Sequence, residues 1–286
     1  MTRAAPVAPG HLYVVATPIG NLGDLSPRAR EVLASVTRIC AEDTRTTGVL
    51  LQHHGVQTPI SALHDHNEDQ LSAGQVQALR DGASLALVSD AGTPLISDPG
   101  FALVRAVRAA GLPVVAVPGP CAAVAALSIS GLPTDAFVFA GFLPPKAQAR
   151  ETRLRELAGE TRTLVLYEAS HRITECVAAI GQVFGGDRVL CLARELTKLY
   201  EQSITAPAAE VLAWLGEDAN RSRGEFVLVV AGAPAQPDRA SIDSTRLLEL
   251  LLAELPASKA ARIAAQATGG RRNDLYALAL KLGGKA

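Results

Sequence analysis

The sequence Ser89-Asp90-Ala91-Gly92-Thr93-Pro94-Leu95-Ile96-Ser97-Asp98-Pro99-Gly100 joins an apolar run at residues 85–88 to a helical pattern at residues 101–110. Proline fixes the φ angle and lacks an amide donor, whereas glycine adopts backbone angles that other residues avoid. A turn built from both is irregular, which suits a ligand that approaches the main chain closely. Open parallel sheets also bind ligands beyond the carboxyl ends of their strands. The two Asp residues and the length of the turn favour a binding loop over the alternative, a plain turn.

Strand and helix patterns alternate along the first half of the chain. The apolar runs are rich in Val, Leu and Ile with little alternation, which is typical of strands covered by helices on both faces. Ser26-Pro27 is a typical helix start, because Ser can cap the first turn and Pro suits the first helical position. These patterns predict an α/β fold with a mostly parallel N-terminal sheet. The predicted strands are 12–16, 38–41, 59–63, 85–89 and 113–117, and the predicted helices begin near residues 26, 44, 67 and 99.

A second α/β pattern follows Pro118-Gly119-Pro120 and predicts a mixed sheet with a hairpin. Residues 231–238 are rich in Pro and Ala and predict a linker. We therefore predict an N-terminal α/β domain (11–125), a second α/β domain (126–233) and a helical C-terminal extension (241–286). The predicted strands of the second domain are 136–142, 163–167, 188–193 and 226–230, and the predicted helices after residue 120 are 121–130, 148–157, 171–184 and 207–215.

The C-terminal extension is basic, whereas the rest of the chain is acidic. Residues 256–286 carry a net charge near +5 and the remaining chain a net charge near −6. Three helices are predicted there, at 244–254, 258–268 and 273–282, with Gly269-Gly270 before the last. The pattern fits a small module that contacts nucleic acid, and it fits equally a helical cap on the body of the protein.

Composition indicates a soluble globular protein in a reducing compartment. The 286 residues are 48% hydrophobic and 19% charged, and the four cysteines are far apart without a CxxC pair, which favours reduced thiols. No run of about 18 apolar residues occurs, so we expect a cytoplasmic protein without a membrane anchor. Four histidines lie close in sequence, but no Cys or carboxylate stands at a zinc spacing beside them, so we predict no metal site. These histidines are His53, His54, His64 and His66.

The first predicted strand ends in Thr17-Pro18-Ile19-Gly20-Asn21-Leu22-Gly23-Asp24 rather than in a GxGxxG turn. That turn would bring backbone amides to a pyrophosphate, and Pro18 removes one such amide. NAD, FAD and Walker-type nucleotides are therefore disfavoured. A cofactor without phosphates, such as S-adenosylmethionine, suits these loops better.

These motifs resemble those of the tetrapyrrole-methylase-like (class III) S-adenosylmethionine methyltransferases, over essentially residues 11–286. Within that family the chain is most similar to members that methylate a cytidine 2′-hydroxyl in 16S ribosomal RNA. It departs from members acting on precorrins, which usually carry a GxGxGD loop after the first strand, and it has Cys121 where Ser is expected. Besides the two loops quoted above, the resemblance rests on residues 41–45, 117–120, 167–172, 193–198 and 224–225.

The resemblance implies a bent S-adenosylmethionine in a cleft between the two α/β domains. The loop after the fourth strand would line the cofactor, with Ser97 near its amino-acid tail, and Gly224 would pass beside the adenine. Small residues in these positions also have a simpler explanation, as turn glycines or closely packed alanines. The cofactor-binding residues implied in this way are Pro18, Asp90, Ala91, Gly92, Pro94, Ser97, Pro118, Gly119, Ala122 and Gly224.

Transfer of a methyl group to a ribose hydroxyl requires alignment of the reactants and benefits from a proton acceptor. The candidates are Asp43, Glu168, Glu195 and Lys198, and each could equally form an ordinary salt bridge. We place Glu195 and Lys198 towards the acceptor, because residues 194–195 follow a strand that points at the cleft. Lys198 could act as a base only if burial lowered its pKa.

RNA binding requires cations, and its affinity should fall steeply with salt. The resemblance implies 16S rRNA or the small ribosomal subunit as the partner and a homodimer as the assembly. A small-molecule tetrapyrrole or corrinoid methyltransferase and a non-catalytic RNA-binding assembly factor are the alternatives. The predicted phosphate contacts are Arg45, Arg172, Arg194, Lys146, Arg271 and Arg272, with His171, Arg150, Arg153, Arg155, Lys259 and Arg262 near them in sequence.

Overall fold

The computed structural model describes residues 7–63, 68–234 and 244–283, and the chain divides after residue 233 into two compact units. The first unit contains two five-stranded sheets, and the second contains three helices. The α/β fold class is confirmed. The limits 11–125, 126–233 and 241–286 stay predictions, and residues 241–243 and 284–286 lie outside the described part of the chain.

The first sheet is parallel, as predicted, with strand order β3-β2-β4-β1-β5. Ser26 caps α1, because its hydroxyl accepts a hydrogen bond from the amide of Ala29 at 3.0 Å. The strands are β1 (Leu12–Val15), β2 (Arg38–Ala41), β3 (Ile60–Ala62), β4 (Leu85–Val88) and β5 (Val114–Val117), and the helices are α1 (Pro27–Ser35), α2 (Thr44–His53), α3 (Glu68–Arg80) and α4 (Phe101–Ala109).

The order of this sheet creates a crevice. β1 lies between β4 and β5, while the chain leaves β1 towards β2 on the far side of β4. The connection after β1 therefore runs to one side of the sheet, towards β2, and the connection after β4 runs to the other side, towards β5. Ligands bind at such a switch point, outside the carboxyl ends of the strands.

The second sheet is mixed, as predicted, with order β6-β7-β10-β8-β9. β6 and β7 are parallel, and the other pairs are antiparallel, including the β8–β9 hairpin. The strands are β6 (Phe137–Phe142), β7 (Thr163–Ala169), β8 (Val189–Arg194), β9 (Gln202–Pro207) and β10 (Glu225–Val230), and the helices after residue 120 are α5 (Ala122–Ile129), α6 (Ala147–Leu157), α7 (Ile173–Phe184) and α8 (Ala208–Glu217).

The strand β9 was not predicted from sequence. It lies at the edge of the described sheet, beside β8, and its sequence Gln-Ser-Ile-Thr-Ala-Pro carries polar residues on a half-exposed surface. A terminal Pro is tolerated in an edge strand because the missing amide need not pair. The helix that we predicted from residue 207 begins one residue later, because Pro207 ends β9 and α8 begins at Ala208.

The helix α5 lies against the face of the second sheet that is turned towards the loops of the first sheet. Ala123 and Ala126 are buried there with Val165 and Val227, and Ile19 from the loop after β1 joins the same cluster. Cys121 precedes α5 but provides no side-chain cap. The hydroxyl of Tyr167, at the end of β7, accepts a hydrogen bond from the amide of Ala123 at 3.1 Å and replaces that cap.

The second unit consists of α9 (Ser244–Leu252), α10 (Ala257–Thr268) and α11 (Arg272–Gly283). Its core is small, with Leu248, Ala264 and Leu275 among its buried residues. α10 ends at Gly269, which adopts the left-handed conformation that favours glycine. In the part of the chain that the structure describes, no helix combines the length and hydropathy required to cross a bilayer.

We predict that Tyr167→Phe lowers the free energy of unfolding by about 1 kcal/mol, because the amide of Ala123 loses the hydrogen bond that caps it. Chemical denaturation measures this change. Tyr13→Phe serves as the control for removal of a tyrosine hydroxyl, since Tyr13 accepts from the amide of Ala8 near the chain start. Equal stability of the Tyr167→Phe variant and the wild type would contradict the capping role.

Candidate active site

Backbone hydrogen bonds join the loops that follow β1 and β4. The amide of Thr17 donates to the carbonyl of Gly92 at 2.8 Å, and the amide of Gly92 donates back at 3.1 Å. The buried hydroxyl of Thr17 also donates to the carbonyl of Ser89 at 3.2 Å. Gly92 has a φ of 83°, and a Cβ there would lie 3.3 Å from the side chain of Ile19. Glycine is therefore required where the two loops meet.

The loop after β5 is held against the same pair. The hydroxyl of Thr93 donates to the carbonyl of Pro120 at 2.9 Å. A Cβ at Gly119 would lie 3.0 Å from the Cβ of Ala16, so the ends of β1 and β5 approach closely at this glycine. The three strand ends thus form one wall.

A cavity of about 400 Å³ lies between this wall and the second sheet. Its volume lies within the range of about 300–1,000 Å³ that is usual for small-molecule sites. The lining comes from the β4 loop, from the start of α5, from the end of β7 and from residues 224–227.

The cavity contains half of the predicted cofactor-binding residues, namely Ala91, Gly92, Ser97, Ala122 and Gly224. Pro18 and Asp90 instead line a neighbouring cavity of about 430 Å³, which also includes Ala91, Lys198 and Glu225. Pro94, Pro118 and Gly119 line neither cavity. For Gly119 the structure supports the simpler explanation, close packing against Ala16.

The β4 loop has a strained backbone beside the cavity of about 400 Å³. Leu95 and Ser97 have φ angles of 72° and 71°, which are uncommon for residues other than glycine. Such strain persists only where surrounding contacts impose it, and it concentrates at ligand-binding loops.

Asp98 belongs to this lining but was not among our predicted site residues. Burial raises the pKa of its carboxyl to about 6. The hydrogen bond from the Ser89 hydroxyl lowers this pKa, and the negative charges of Glu42 and Asp90 raise it further. The second Asp of the opening motif was the available signal. Sequence could not indicate that this side chain is half-buried in a cavity.

Glu195, Lys198 and Glu225 form an ion-pair trio at the rim. The Lys198 Nζ atom lies 2.9 Å from an oxygen of each carboxylate, and Glu195 also accepts from the amide of Glu225 at 3.0 Å. Two glycines make room for this arrangement: a Cβ at Gly224 would lie 2.5 Å from Glu195, and a Cβ at Gly20 would lie 2.5 Å from Lys198. The trio brings two predicted catalytic residues together.

The charges of the trio argue against Lys198 as a neutral base. Burial lowers the pKa of Lys198, but hydrogen bonds to Glu225 and Glu195 outweigh it, so the pKa is raised. For Glu195 burial raises the pKa, but the hydrogen bonds from Lys198 and from the amide of Glu225 outweigh this effect, so the pKa is lowered. Lys198 is therefore an ammonium beside two carboxylates, and the trio retains one net negative charge.

Asp43 is poorly suited to accept a proton. Its side chain caps α2 by accepting from the amide of Arg45 at 2.8 Å, and it pairs with the Arg45 guanidinium. The hydrogen bonds from Arg45 hold the pKa of this carboxyl far below its usual range. Glu168 belongs to the lining of the cavity of about 400 Å³, but its side chain is buried and pairs with Arg172.

The predicted RNA-binding residues have divergent environments. Arg194 is buried and donates to the carbonyls of Arg223 and Tyr200, so its guanidinium is already bonded within the protein, which does not favour the predicted phosphate contact. Arg172 is mostly buried against Glu168, and Arg45 is 89% exposed although it pairs with Asp43. Lys146, Arg271 and Arg272 are exposed, the last two at the start of α11 in the second unit. His171 is exposed, as are Lys259 and Arg262 of the second unit, whereas Arg150, Arg153 and Arg155 pair with Glu175, Glu156 and Glu151.

Metal ligation has no support in residues 7–63, 68–234 and 244–283, where no three His, Cys, Asp or Glu side chains cluster at metal-binding distance. His53 and His54 stack edge to face at 4.8 Å. His64 and His66 lie outside the described residues.

Comparison with protein families decides the identity of this fold. The model of the tetrapyrrole (corrin/porphyrin) methylases matches residues 11–212. The chain belongs to the tetrapyrrole methylase family. Members of this family use S-adenosylmethionine, which is therefore the cofactor. The model of the RsmI C-terminal HTH domain matches residues 238–283, the segment that contains the three-helix unit.

The similarity of this tetrapyrrole methylase to two relatives extends over nearly the whole chain. It is 54% identical over 268 residues to the ribosomal RNA small subunit methyltransferase I of Xylella fastidiosa, covering 94% of this chain and 98% of that protein. It is 52% identical over 279 residues to the protein of the same name from Pseudomonas aeruginosa, covering 97% and 99%.

Solved structures show the same fold. Cobalt precorrin-4 methyltransferase CbiF matches with a TM-score of 0.57 at 12% identity, covering 78% of this chain and 95% of that one. The uroporphyrin-III C-methyltransferase of Thermus thermophilus matches with a TM-score of 0.53 at 23% identity, covering 78% and 94%. The shared 78% corresponds in extent to the two-sheet unit.

We predict that Asp98→Asn stabilises the ligand-free protein above pH 6 and loses this effect in acid. The folded-state pKa of about 6 exceeds the ordinary value of 3.8, so the charged carboxylate destabilises the fold above pH 6. The penalty disappears as the pH falls towards the ordinary value. The side chain is about half exposed and partly screened, so we expect the Tm to rise by about 2–4 °C at pH ~8.

Thermal unfolding at several pH values measures this effect, and Asp81→Asn is the matched control, because Asp81 is exposed and bonds to Gln77. A Tm gain of the same size at pH ~4 and pH ~8 would exclude the raised pKa as its cause.

Proposed function

We propose that this protein methylates ribosomal RNA of the small subunit, and that its acceptor is the 2′-hydroxyl of a cytidine in 16S rRNA. The observation that carries the proposal is the near full-length similarity, at 54% and 52% identity, to relatives named for small-subunit rRNA methylation. Those matches include the basic helical unit as well as the two-sheet unit.

The cavity of about 400 Å³ supports the cofactor side of the reaction. When bound, S-adenosylmethionine supplies a methyl group activated by a sulfonium. Gly92 and Gly224 allow close approach of the backbone, and Ala122 leaves room at the start of α5. Cofactor binding by these residues, and by Ala91 and Ser97, is part of the proposal.

The ion-pair trio supports the acceptor side. Glu225 lines both cavities and Lys198 lines the second, so the trio stands where the two cavities adjoin. Lys198 orients the carboxylates of Glu195 and Glu225. With two carboxylates for one ammonium, the trio can accept a hydrogen bond from the ribose hydroxyl and then its proton.

The three-helix unit supports recognition of RNA. Arg271 and Arg272 are exposed at the start of α11, and Arg262 and Lys259 are exposed on α10. Exposed cations that are free of carboxylate partners bind phosphates by releasing counterions. None of these four residues has a salt bridge to another described residue.

We also propose that the protein acts in the cytoplasm, where ribosomal RNA is available, and that it forms a homodimer. Support for the dimer comes from large apolar side chains that the first unit leaves exposed, among them Phe101 at 64%, Val124 at 56% and Phe142 at 53%. Exposed apolar surface of this kind marks sites of association.

The proposed reaction is tested by transfer of a labelled methyl group to small ribosomal subunits from cells that lack the activity. Nucleoside analysis of the labelled RNA should give 2′-O-methylcytidine. Label on a base, or label on uroporphyrinogen and none on RNA, would contradict the proposal.

The methyl-transfer assay also tests whether the ion-pair trio contributes to catalysis. We expect Lys198→Ala to lower kcat by about 10²-fold or more, in the range of acid–base contributions, with the affinity for S-adenosylmethionine unchanged. Arg162→Ala is the control, because it removes a cation from an exposed ion pair with Glu160. An unchanged kcat would remove Lys198 from the acceptor site.

We predict that the double variant Arg271→Glu/Arg272→Glu weakens binding of 16S rRNA and leaves affinity for S-adenosylmethionine unchanged. Loss of two phosphate contacts should reduce the slope of log affinity against log salt by about 1.4–1.8. Arg153→Glu/Arg155→Glu makes the same change in charge on α6, where both side chains already pair with glutamates. Equal losses in both double variants would mean that only net charge matters.

A further inference from the structure

Asp98 contributes a negative charge to the cavity of about 400 Å³ and forms no salt bridge with a described cation. The other acidic residues of the lining are paired, Glu168 with Arg172 and Glu225 with Lys198. The hydroxyl of Ser89 is the polar partner of Asp98. In the part of the chain that the structure describes, no Lys, Arg or His side chain forms a salt bridge with Asp98.

The groups around Asp98 strengthen this negative potential. Asp90 and Glu42 lie close enough to act on its titration, and Tyr167, whose pKa is raised chiefly by its own burial, also feels the charge of Asp98. Cys121 is a further titratable member of the lining. None of these groups is cationic.

Two aromatic rings add to the preference for positive charge. The rings of Phe142 and Tyr167 both line the cavity, with centroids 5.7 Å apart and planes at 65°. The face of an aromatic ring attracts a cation, and the attraction is strongest where water is excluded. A half-buried carboxylate and two aromatic rings therefore face the same space.

S-adenosylmethionine and its product differ by one charge. The donor carries a sulfonium, an ammonium and a carboxylate, and therefore a net charge of +1. Methyl transfer breaks the bond between sulfur and the methyl carbon and leaves the electron pair on sulfur, so S-adenosylhomocysteine is neutral overall. The methyl carbon bonds to the acceptor oxygen, and the hydroxyl proton passes to a base.

We propose that Asp98 is the counter-charge by which the cavity prefers the cationic donor to the neutral product. The carboxylate stabilises the donor complex, and this stabilisation ends when the sulfonium is neutralised, which favours exchange of product for fresh donor. The inference rests on the cofactor of the proposed function and not on the identity of the RNA acceptor.

Calorimetric titration without RNA tests this preference. The ligands are S-adenosylmethionine, S-adenosylhomocysteine and sinefungin, which carries an amine in place of the sulfonium. For Asp98→Asn we expect affinity for the two cationic ligands to fall about 10- to 100-fold, as for loss of a hydrogen bond to a charged group, and affinity for the neutral product to change less than about threefold. Asp81→Asn should change none of the three affinities.

The wild-type protein should also show the preference as a function of pH. Protonation of Asp98 in acid removes the counter-charge, so the ratio of donor to product affinity should fall between about pH 8 and about pH 5. The same ratio should be flat in Asp98→Asn. The Tm of the ligand-free variant establishes that it is folded.

Two results would overturn the inference alone: equal loss of affinity for donor and product in Asp98→Asn, or unchanged affinity for both. In either case the wild type still binds the donor, and the proposed function stands. A wild type that binds neither ligand would overturn the proposed function and this inference together.

Discussion

The reciprocal hydrogen bonds between Thr17 and Gly92 are the contact on which the candidate site depends. They join the loops after β1 and β4, and the Thr93–Pro120 bond adds the loop after β5. Parallel strands bring their carboxyl ends to one edge, but only such cross-links turn three separate loops into a wall. The positive φ of Gly92 and its contact with Ile19 explain why a side chain at this position would separate the loops.

The β4 loop contains features that lower stability. Leu95 and Ser97 are held at positive φ, and the half-buried carboxyl of Asp98 forms no salt bridge with a cation of the described residues. Backbone strain and unpaired charge concentrate where proteins bind ligands, so these three residues of one loop favour a binding role for it on physical grounds, separately from family membership. The ion-pair trio differs, because its charges satisfy each other before any substrate arrives.

Much of the fold could be predicted because it depends on local pattern. Buried parallel strands are continuous apolar runs, and helix starts such as Ser26-Pro27 carry their caps in sequence. β9 was missed because an edge strand can be polar and end in Pro. Of the predicted site, Ala91, Gly92, Ala122 and Gly224 line the cavity of about 400 Å³, and their contact with the cofactor stays a prediction. Arg194 and Asp43 were assigned from residue type, and residue type does not reveal what a side chain already contacts.

The sequence by itself determined the family, the α/β class, the absence of a dinucleotide loop and the presence of a basic helical segment, because motif spacing and periodicity are properties of the chain. Only the tertiary structure decided the protonation of the candidate catalytic groups. Lys198 and Glu225 are 27 positions apart, and Tyr167 and Ala123 are 44 apart, so neither pair can be read from local spacing. The physical reason is that a pKa depends on burial and on charges within a few ångströms, and folding alone sets both.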